Sequence, residues 1–538
     1  MSRILESIHP PPFLPKCSIF DYLFGDHQCY PTPDPKGIAF IDGLSGKKVQ
    51  RQQVAHQARQ LAAGIRSLGV KQGDVMLIFG MNSYEWINAL LGGQAAGVVV
   101  SPASYAYSPP ELLHQINDST ASLIFVGPLL LDTLLKALAL PDAPKIPPSR
   151  IVLLSDTSTA GYKSIYDLWQ APLTPEPYAE SSTAYLCYSS GTTGRAKGVE
   201  TSHHNITSEI QALNTVYEPL ADKDVVLGIL PFSHIYGLSV VLHQPLTRGV
   251  PVVILPRFEE ISVLSAIEKY KITWGLVVPP VLIVLIHSKN VGNKLKSLRG
   301  LMSGAAPLGR ELTATFEKKF PWIKVTQGYG LTETSPVTHV MTLDESRTHS
   351  GQVGRLMPTF QARLVDAESG KDAERGELWL RGPCVMKGYW RNAEATSNTF
   401  AEGGWFKTGD VAVVAEDGYF AIVDRVKELI KYKGFQVPPA ELEALLLSND
   451  QVADAAVIGI WSKDQATELP RAYIVPATKP ADAAAFRKEI AKWVEGKVAH
   501  YKNLRGGVVL IDAIPKSPSG KILRKDLRLL AKEEKAKL

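Results

Sequence analysis

Short apolar runs alternate with stretches of helical spacing through the first two thirds of the chain. Between Val54 and Leu68 apolar residues recur every three or four positions, which predicts a helix that ends near Gly69. Tyr84–Ala96 and the stretch beginning Leu112–Ile116 are further predicted helices. The predicted strands between them are Ile38–Ile41, Val75–Phe79, Val98–Val100, Leu123–Val126, Ile151–Leu154, Val225–Leu230, Val252–Leu255, Thr273–Val278 and Leu298–Met302. This alternation predicts an α/β fold with parallel sheets.

The pattern changes after about Pro358. Ala362–Val365, Gly376–Arg381 and Gly418–Val423 alternate apolar and polar residues, which predicts a more antiparallel, barrel-like section. From Pro439 a smaller α+β unit is predicted, with helices 440–447 and 483–497, strands 452–460 and 471–476, and a tail. We therefore expect a large N-terminal domain over 1–426 and a smaller C-terminal domain over 427–538. Residues 1–35, rich in proline and aromatic residues, are expected to form an irregular lead-in.

Composition narrows the class of protein. The 538 residues are 45% apolar and 21% charged, which is typical of a globular protein with a large core. The net charge of +5, from 58 basic and 53 acidic residues, gives no indication of nucleic-acid binding. The four cysteines, Cys17, Cys29, Cys187 and Cys384, show no metal-ligand spacing. With no leader pattern and no apolar run of membrane-spanning length, we expect reduced thiols inside a cell.

The most informative stretch is Tyr188–Glu200, which reads Tyr-Ser-Ser-Gly-Thr-Thr-Gly-Arg-Ala-Lys-Gly-Val-Glu. Glycines let backbone N–H groups converge on an anion, the hydroxyls add donors, and Lys197 adds a positive charge. Such a loop suits phosphate, although its lysine does not stand in the Walker arrangement. A merely flexible polar loop is the alternative interpretation. A short strand, Leu186–Tyr188, is expected to lead into the loop.

Five further stretches narrow the nucleotide chemistry. They are Leu230-Pro-Phe-Ser-His-Ile-Tyr-Gly-Leu238, Gln327-Gly-Tyr-Gly-Leu-Thr-Glu333, Gly404-Trp-Phe-Lys-Thr-Gly-Asp410, the charged segment Asp424–Gln436, and Pro515-Lys-Ser-Pro-Ser-Gly-Lys-Ile-Leu-Arg-Lys525. With 188–200 they resemble, in order, the motifs of the adenylate-forming superfamily of acyl-CoA ligases, luciferases and adenylation domains. Ser303-Gly-Ala-Ala-Pro-Leu308 and Lys431-Tyr-Lys-Gly-Phe-Gln436 make the coumarate–CoA ligase group the nearest likeness.

The resemblance implies an AMP-forming acid–CoA ligase that uses ATP, Mg²⁺ and coenzyme A. A carboxylate attacks the α-phosphate of ATP and releases pyrophosphate; a thiol then attacks the acyl carbon of the acyl-adenylate and AMP leaves. Because charge develops on phosphate oxygens, positioned cations and hydrogen-bond donors supply most of the catalysis.

Matching positions in these motifs imply the nucleotide site. The β- and γ-phosphates are expected on Ser189, Ser190, Gly191, Thr192, Thr193, Gly194 and Lys197. Thr332 is expected to touch the phosphates, and Glu333 to ligate Mg²⁺, which favours a hard oxygen ligand beside phosphate. The ribose is expected on Asp410 and Arg425, and the adenine among Ala305, Ala306, Gln327, Gly328 and Tyr329.

Catalytic roles are likewise implied by the resemblance. Lys521 is expected to bridge the acyl carboxylate and the α-phosphate, and His234 to lie near that carboxylate and gate the thiol path. Lys427 matches a hinge. Lys431 and Gln436 match residues that act on the adenylate phosphate and in the second step, and Lys433, Gly434 and Phe435 match the pantetheine path. Since Lys521 and Lys433–Gly434 serve different steps, a rotation of residues 428–538 about Lys427 is expected.

The acyl pocket carried over from coumarate–CoA ligases has no charged member, which predicts a substrate with an uncharged tail. It comprises Ile235, Tyr236, Val240, Met302, Ala305, Gly328, Gly330, Pro336, Val337 and Thr338. Tyr236, Met302 and the glycines fit a flat aromatic acid, whereas Val240 and Thr338 depart from the usual residues. A cinnamic- or benzoic-type acid is predicted, with a medium-chain fatty acid as the alternative.

Two other functions stay open from the residues alone. A luciferase-like, CoA-independent adenylating enzyme is disfavoured by Lys433-Gly434-Phe435, and a non-catalytic nucleotide binder by the presence of Glu333, His234 and Lys521. The last three residues, Ala536-Lys537-Leu538, are similar to a peroxisomal import signal, so an import receptor is a predicted partner. A cytoplasmic location is the alternative.

Overall fold

The structure is a computed structural model. It describes residues 3–25, 30–174, 179–189, 195–217, 223–366, 369–425, 428–433, 435–462, 465, 467–518 and 520–536.

The five helices that the sequence patterns place are all present, and the other described helices lie outside those predictions. In chain order the helices are α1 Ile19–Phe24, α2 Arg51–Ser67, α3 Tyr84–Ala95, α4 Pro109–Ser119, α5 Leu131–Leu138, α6 His203–Val216, α7 Gln244–Arg248, α8 Glu260–Tyr270, α9 Pro279–His287, α10 Arg310–Lys319, α11 Ala393–Thr399, α12 Pro439–Leu447, α13 Ala483–Glu495 and α14 Arg524–Ala536. A π-helix, Tyr236–His243, leads directly into α7.

The strands account for most of the buried apolar runs. In chain order they are β1 Leu5–Glu6, β2 Ile38–Asp42, β3 Lys48–Gln50, β4 Val75–Phe79, β5 Val99–Ala103, β6 Leu123–Val126, β7 Ile151–Leu153, β8 Lys163–Ser164, β9 Thr183–Ser189, β10 Lys197–Ser202, β11 Val226–Gly228, β12 Val252–Ile254, β13 Trp274–Val277, β14 Gly300–Ser303, β15 Lys324–Gln327, β16 Tyr329–Gly330, β17 Val337–Val340, β18 Arg355–Leu356, β19 Gln361–Val365, β20 Arg375–Arg381, β21 Gly388–Tyr389, β22 Phe400–Ala401, β23 Trp405–Val414, β24 Phe420–Arg425, β25 Ile430–Tyr432, β26 Phe435–Val437, β27 Val452–Ser462, β28 Thr467–Pro476 and β29 Val508–Leu510.

Two largely parallel sheets form the frame of the molecule, as the alternation of strands and helices predicts. One runs in the order β15–β14–β13–β11–β12–β2–β3, and the other in the order β21–β10–β9–β5–β4–β6–β7–β8. Only their edges depart from parallel pairing: β3 lies antiparallel to β2, and β10 antiparallel to both β9 and β21. Because parallel strands are covered by helices on both faces, nearly every residue of β4, β5 and β6 is buried.

The section after Pro358 is antiparallel, as its alternating pattern predicts. Strands β1, β19, β20, β23 and β22 pair in that order, and β24 also pairs with β23. In this sheet the register places Asp410 on β23 directly opposite Arg425 on β24. Two side chains far apart in sequence are thereby fixed next to each other.

The C-terminal part has an apolar core of its own. Residues between Ile430 and Val508 form it, from the β25–β26 hairpin, the β27–β28–β29 sheet and helices α12 and α13. The boundary expected between residues 426 and 427 stays a prediction, because Val426 and the expected hinge residue Lys427 lie outside the described residues.

Two segments contain more structure than the sequence patterns predict. The expected irregular lead-in contains α1, which buries Ile19, Phe20, Tyr22 and Leu23, and β1, which pairs with β19. The expected C-terminal tail contains β29 and α14. Both gain their order from distant partners, which a local pattern does not reveal. Among the described residues, no helix combines the length and apolar character needed to cross a membrane.

Candidate active site

The two ends of the proposed phosphate loop lie side by side. Strands β9 and β10 form an antiparallel hairpin in which Ser189 faces Lys197. The Lys197 Nζ lies 4.2 Å from the centre of the Tyr389 ring, within cation–π distance. Ser190, Gly191, Thr192, Thr193 and Gly194, expected to hold phosphate, lie outside the described residues.

Two adjoining cavities, of about 540 Å³ and about 430 Å³, lie beside this hairpin. The larger has a charged lining, defined as Lys197, Glu333, Arg425 and Lys521 together with the hydroxyl groups of Ser189 and Thr332. It also has an apolar lining, defined as Ile235, Tyr236, Met302, Gly304, Gly328, Gly330, Pro336 and Val337. The smaller is lined by Ala306, Gln327, Asp410 and residues of α12, among others. Residues lining both are Ala305, Gly328, Tyr329, Gly330, Arg425 and Lys521.

The apolar lining is built from chain segments that pass unusually close to one another. The Tyr236 hydroxyl donates to the Met302 carbonyl at 3.1 Å, which fixes the ring against Gly304. A Cβ on Gly330 would lie 1.9 Å from the Pro336 carbonyl oxygen, and one on Gly328 would lie 2.3 Å from the Met302 Cε. At Gly330 the neighbour is backbone, so only glycine leaves room there, whereas at Gly328 it is the tip of a flexible methionine; at both positions the backbone itself forms part of this lining.

Ala305 occupies an unusual backbone conformation where the two cavities meet. Its φ of 64° is in the left-handed region, where a Cβ is disfavoured. Strain of this kind persists where the surrounding structure holds it, and it concentrates at functional sites.

Glu333 is a buried carboxylate on the 3₁₀ turn Thr332–Thr334. Its Oε1 accepts a hydrogen bond from the Tyr389 hydroxyl at 2.9 Å, and its carbonyl accepts from the Met386 N–H at 2.9 Å. Tyr389 thus connects Lys197 and Glu333. Burial and the neighbouring Glu333 carboxylate raise the pKa of Tyr389, so its hydroxyl stays protonated and donates.

Asp410, Arg425 and Tyr329 form a hydrogen-bonded group. The Arg425 Nε lies 3.2 Å from Asp410 Oδ1, and the Tyr329 hydroxyl donates to Asp410 Oδ2 at 2.5 Å. Burial raises the pKa of the Asp410 carboxyl, and the Arg425 guanidinium opposes that rise. Each carboxylate oxygen has a second lone pair, so this group can still accept hydrogen bonds from a ligand.

Lys521 sits on a tight turn closed by the bridge between Lys516 and Ile522. The turn approaches the N-terminal domain at Gly520, where an added Cβ would lie 3.1 Å from Val278. Burial, reinforced by the Arg425 guanidinium, lowers the pKa of Lys521 to about 8, and Glu428, Asp410 and Glu333 oppose this. Within the described part of the chain Lys521 forms no ion pair, so its ammonium is available to a ligand.

His234 lines the same cavity just before the π-helix that carries Tyr236. The Tyr236 N–H donates to His234 Nδ1 at 3.3 Å, so in the neutral ring the proton is on Nε2. Burial, with the nearby Lys521 charge, lowers the pKa of His234 to about 4. The histidine is therefore a neutral hydrogen-bond donor near pH 7.

Not every predicted site residue reaches a cavity. Val240 is buried within the π-helix, and the Thr338 hydroxyl bonds to the Tyr329 carbonyl and His339 instead. Lys431, Lys433, Phe435 and Gln436 lie exposed on the β25–β26 hairpin, away from both cavity linings. Gly434 and Lys427 lie outside the described residues.

Sequence reasoning missed Tyr389, together with Tyr107, Glu377 and Lys407, which also line the larger cavity. Tyr389 stands in Gly-Tyr-Trp on the edge strand β21, and no local pattern distinguishes it from a packing residue. It reaches the site through antiparallel pairing with Val199 on β10, a long-range contact.

The two parts of the chain each match a known protein family model. Residues 27–390 match the AMP-binding enzyme family, and residues 441–521 match the AMP-binding enzyme C-terminal domain.

Individual relatives match over nearly their whole length. A probable 4-coumarate–CoA ligase from Dictyostelium discoideum is 38% identical, covering 92% of both chains. The peroxisomal OPC-8:0-CoA ligase 1 of Arabidopsis thaliana is 36% identical, covering 92% of this chain and 90% of that protein. The structure of the anthranilate CoA ligase AuaEII with anthranoyl-AMP is similar with a TM-score of 0.86 at 25% identity, covering 98% and 99% of the two chains.

The chain therefore belongs to the AMP-binding enzyme family, within the adenylate-forming superfamily that its motifs predict. Within that family it is an AMP-forming acid–CoA ligase.

Proposed function

We propose that the acid this ligase activates is an aryl acid of the cinnamic or benzoic type, whose only charged group is its carboxylate. The apolar lining carries the proposal, because it combines the Tyr236 ring with closely packed backbone at Gly328 and Gly330 and contains no charged side chain. A flat ring fits between an aromatic face and close-packed backbone. The anthranilate ligase, a structural relative, acts on an acid of this shape.

The charged lining suits the first half-reaction. An oxygen of the substrate carboxylate bonds to the α-phosphorus of ATP as the bond to the pyrophosphate oxygen breaks. Lys521 lines the same cavity as the apolar lining and Arg425 and neutralises the two approaching anions. The neutral His234 donates from Nε2 toward the acyl carboxylate, a role that needs no change of charge.

The remaining charged groups suit the nucleotide. Ser189–Lys197 and Thr332 hold the β- and γ-phosphates, Asp410 and Arg425 the ribose hydroxyls, and Ala305, Gln327 and Gly328 the adenine. Glu333 keeps one carboxylate oxygen free of hydrogen bonds among the described residues, and a hard oxygen beside phosphate fits Mg²⁺. A single carboxylate suits an ion that phosphate oxygens and water mainly coordinate; when bound, Mg²⁺ neutralises the phosphate charge.

We propose that the second half-reaction uses a different orientation of residues 428–538. Lys431, Lys433 and Gln436 lie on one hairpin outside both cavities, while Lys521 lines both. Rotation about Lys427 would exchange them, so that the thiol of coenzyme A reaches the acyl carbon along Lys433–Gly434 and AMP leaves. The orientation that has Lys521 at both cavities is the one that suits adenylation.

A panel assay tests the proposed substrate. AMP release is measured with ATP, Mg²⁺ and each of a series of cinnamic, benzoic and medium-chain fatty acids, with and without coenzyme A. CoA-dependent release that is fastest with aryl acids is expected. Preference for medium-chain fatty acids would refute the aryl assignment, and equal AMP release without coenzyme A would favour a CoA-independent adenylating enzyme.

We further propose that Ala536-Lys537-Leu538 acts as a peroxisomal import signal. One relative is named as peroxisomal, and small–basic–leucine is the pattern such receptors bind. Lys537 and Leu538 lie outside the described residues. A fluorescent protein fused before residue 1 should co-localise with peroxisomes and become diffuse when the three residues are removed; identical distributions would contradict the proposal.

A further inference from the structure

Helix α6 follows β10 directly, and one of its faces contacts two segments that border the larger cavity. Asn205 and Glu209 lie one turn apart on that face. The Asn205 amide donates to the Pro383 carbonyl at 2.6 Å and the Val385 carbonyl at 3.0 Å, while its oxygen accepts from the Ser202 N–H at 2.8 Å. The start of α6 is thereby joined to the segment that leads to Tyr389.

Glu209 makes the second connection. Its side chain is completely buried, and its Oε1 accepts a hydrogen bond from the Val337 N–H at 2.9 Å. Val337 and Pro336 belong to the apolar lining, and Glu333 lies four residues before Val337 on the same loop. A carboxyl on α6 thus fixes the backbone of the apolar wall, whereas Glu333 itself is held by the Tyr389 hydroxyl and the Met386 N–H.

The same loop is joined to residues 383–389 by further hydrogen bonds. The Ser335 hydroxyl donates to the Cys384 carbonyl at 2.8 Å, and the Tyr389 hydroxyl donates to Glu333. The Trp390 N–H in turn donates to the Gly198 carbonyl of β10 at 2.8 Å. Loop 333–337, segment 383–390 and β10–α6 therefore form one closed, hydrogen-bonded arrangement around Glu209.

We propose that Glu209 is a positioning residue that sets the placement of the Pro336–Val337 wall and thereby the fit of the acid substrate. This inference rests on the proposed function of the cavity. Glu209 itself lines neither cavity, so it acts through the amide of Val337, which belongs to the apolar lining.

Because Glu209 is buried, substitutions can distinguish a role as hydrogen-bond acceptor for Val337 from a role as a negative charge. Burial raises its pKa well above the ordinary value, which favours the neutral acid. Glu209→Gln keeps a neutral side chain with an acceptor for the Val337 N–H. Glu209→Met keeps the length but leaves that buried donor without a partner, and Glu209→Asp withdraws the carboxyl by one methylene.

The test compares steady-state constants of the three variants with wild type in acid-dependent pyrophosphate exchange. Glu209→Met should raise KM for the acid about tenfold, the cost of one unpaired buried donor, and leave KM for ATP within about twofold. Glu209→Asp should raise KM for the acid by less than Glu209→Met does and should likewise leave KM for ATP nearly unchanged. Glu209→Gln should have the wild-type KM for the acid. Ser208→Ala, at the adjacent buried position whose hydroxyl has no hydrogen-bond partner among the described residues, is the matched control.

Amide hydrogen exchange gives a readout that needs no turnover. The Val337 amide should exchange slowly in wild type and Glu209→Gln and faster in Glu209→Met and Glu209→Asp. Any of three results would overturn the positioning role. The Val337 amide could be as protected in Glu209→Met as in wild type, KM for the acid and KM for ATP could rise equally, or Glu209→Gln could have the same kinetics as Glu209→Met. If the wild-type enzyme activates no aryl acid, the proposed function is refuted. The amide hydrogen-exchange rates of Val337 then still decide whether Glu209 holds loop 333–337.

Discussion

Lys521 shows how one partly buried cation is kept charged while it forms no ion pair among the described residues. Three carboxylates, those of Glu428, Asp410 and Glu333, favour its ammonium form, while burial and the Arg425 guanidinium disfavour it. The balance places its pKa at about 8, well below that of an exposed lysine. A lysine held this way gains more from an arriving phosphate than one already in an ion pair.

The role proposed for Lys521 predicts a loss confined to adenylation. Lys521→Ala should lower the rate of acid-dependent pyrophosphate exchange about 10²–10³-fold, as removal of an oxyanion-stabilising donor does. Thioester formation from pre-made acyl-adenylate should largely persist. Equal losses in both assays would contradict the assignment.

The same residue predicts a pH dependence. Only protonated Lys521 neutralises the anions, so kcat/KM for ATP in the exchange reaction should fall as pH rises through about 8. Lys521→Arg, slower because its geometry differs, should lack this alkaline decline because arginine stays charged. An unchanged decline in Lys521→Arg would assign it to another group.

Tyr389 predicts a second effect at the residue scale. Tyr389→Phe removes the hydroxyl that orients Glu333, and a hydrogen bond to a charged group contributes about 1.5–3 kcal/mol, so KM for MgATP should rise about tenfold. Tyr166→Phe, which removes a Tyr–Glu hydrogen bond to Glu85 away from both cavities, is the matched control. If both substitutions change KM alike, the effect is one of general stability.

At the scale of elements, the apolar lining depends on how closely β16 approaches the Ser335–Val337 segment and on the position of Met302 on β14. The first contact is between two backbones, and the second is between a backbone and the tip of a flexible methionine. A backbone cannot move aside without displacing the loop that carries Glu333, whereas a methionine can change rotamer.

This difference predicts opposite outcomes for two similar substitutions. Gly330→Ala should lower kcat/KM for every acid about 10²-fold, because displacement of the Pro336 backbone by an ångström misplaces the substrate. Gly328→Ala should lower kcat/KM for the largest acids about tenfold and spare small ones, because the Met302 side chain moves into the cavity. Rates measured across a size series of acids distinguish the two, and equal effects would refute this explanation.

Local sequence patterns predict some helices and strands accurately and miss others. Apolar runs predict β4, β6 and α3 almost to the residue, because local burial patterns determine those elements. The helix α1 and the strand β29 are missed, because each is stabilised by contacts with distant residues. The motifs predict Glu333, Asp410 and Lys521 as site residues, but not Tyr389 or Glu209, whose neighbours are set by strand pairing and helix packing.

At the scale of the whole molecule, contacts between the two parts of the chain define one orientation. The Ala440 N–H at the start of α12 donates to Asp424 Oδ2 at 3.2 Å. Burial raises the pKa of Asp424 to about 7. A Cβ added to Gly309 would lie 3.2 Å from the Ala444 Cβ. These contacts accompany the placement of Lys521 in the cavity, and a rotation of residues 428–538 would break them.

A disulfide tests that rotation. The 3.2 Å between a Cβ added at Gly309 and the Ala444 Cβ is within a few tenths of an ångström of the Cβ–Cβ distances found in disulfides, about 3.5–4.5 Å. A double variant with Gly309→Cys and Ala444→Cys should therefore cross-link on oxidation. The oxidised protein should retain pyrophosphate exchange and largely lose acyl-CoA formation, which a reductant should restore. The two single variants are controls, and full acyl-CoA formation by the cross-linked protein would refute the rotation.

The alternation of strands and helices, the family, and the residue types proposed for the phosphates follow from the sequence, because local periodicity and motifs in a fixed order carry them. The tertiary structure alone decided that Tyr389 orients Glu333, that Gly330 leaves no room for a side chain, and that Glu209 holds the Val337 amide. It also decided that Lys521, and not the Lys431–Gln436 hairpin, lines the cavities. Those contacts join residues far apart in the chain, and their distances are set by strand register and by the orientation of the C-terminal domain.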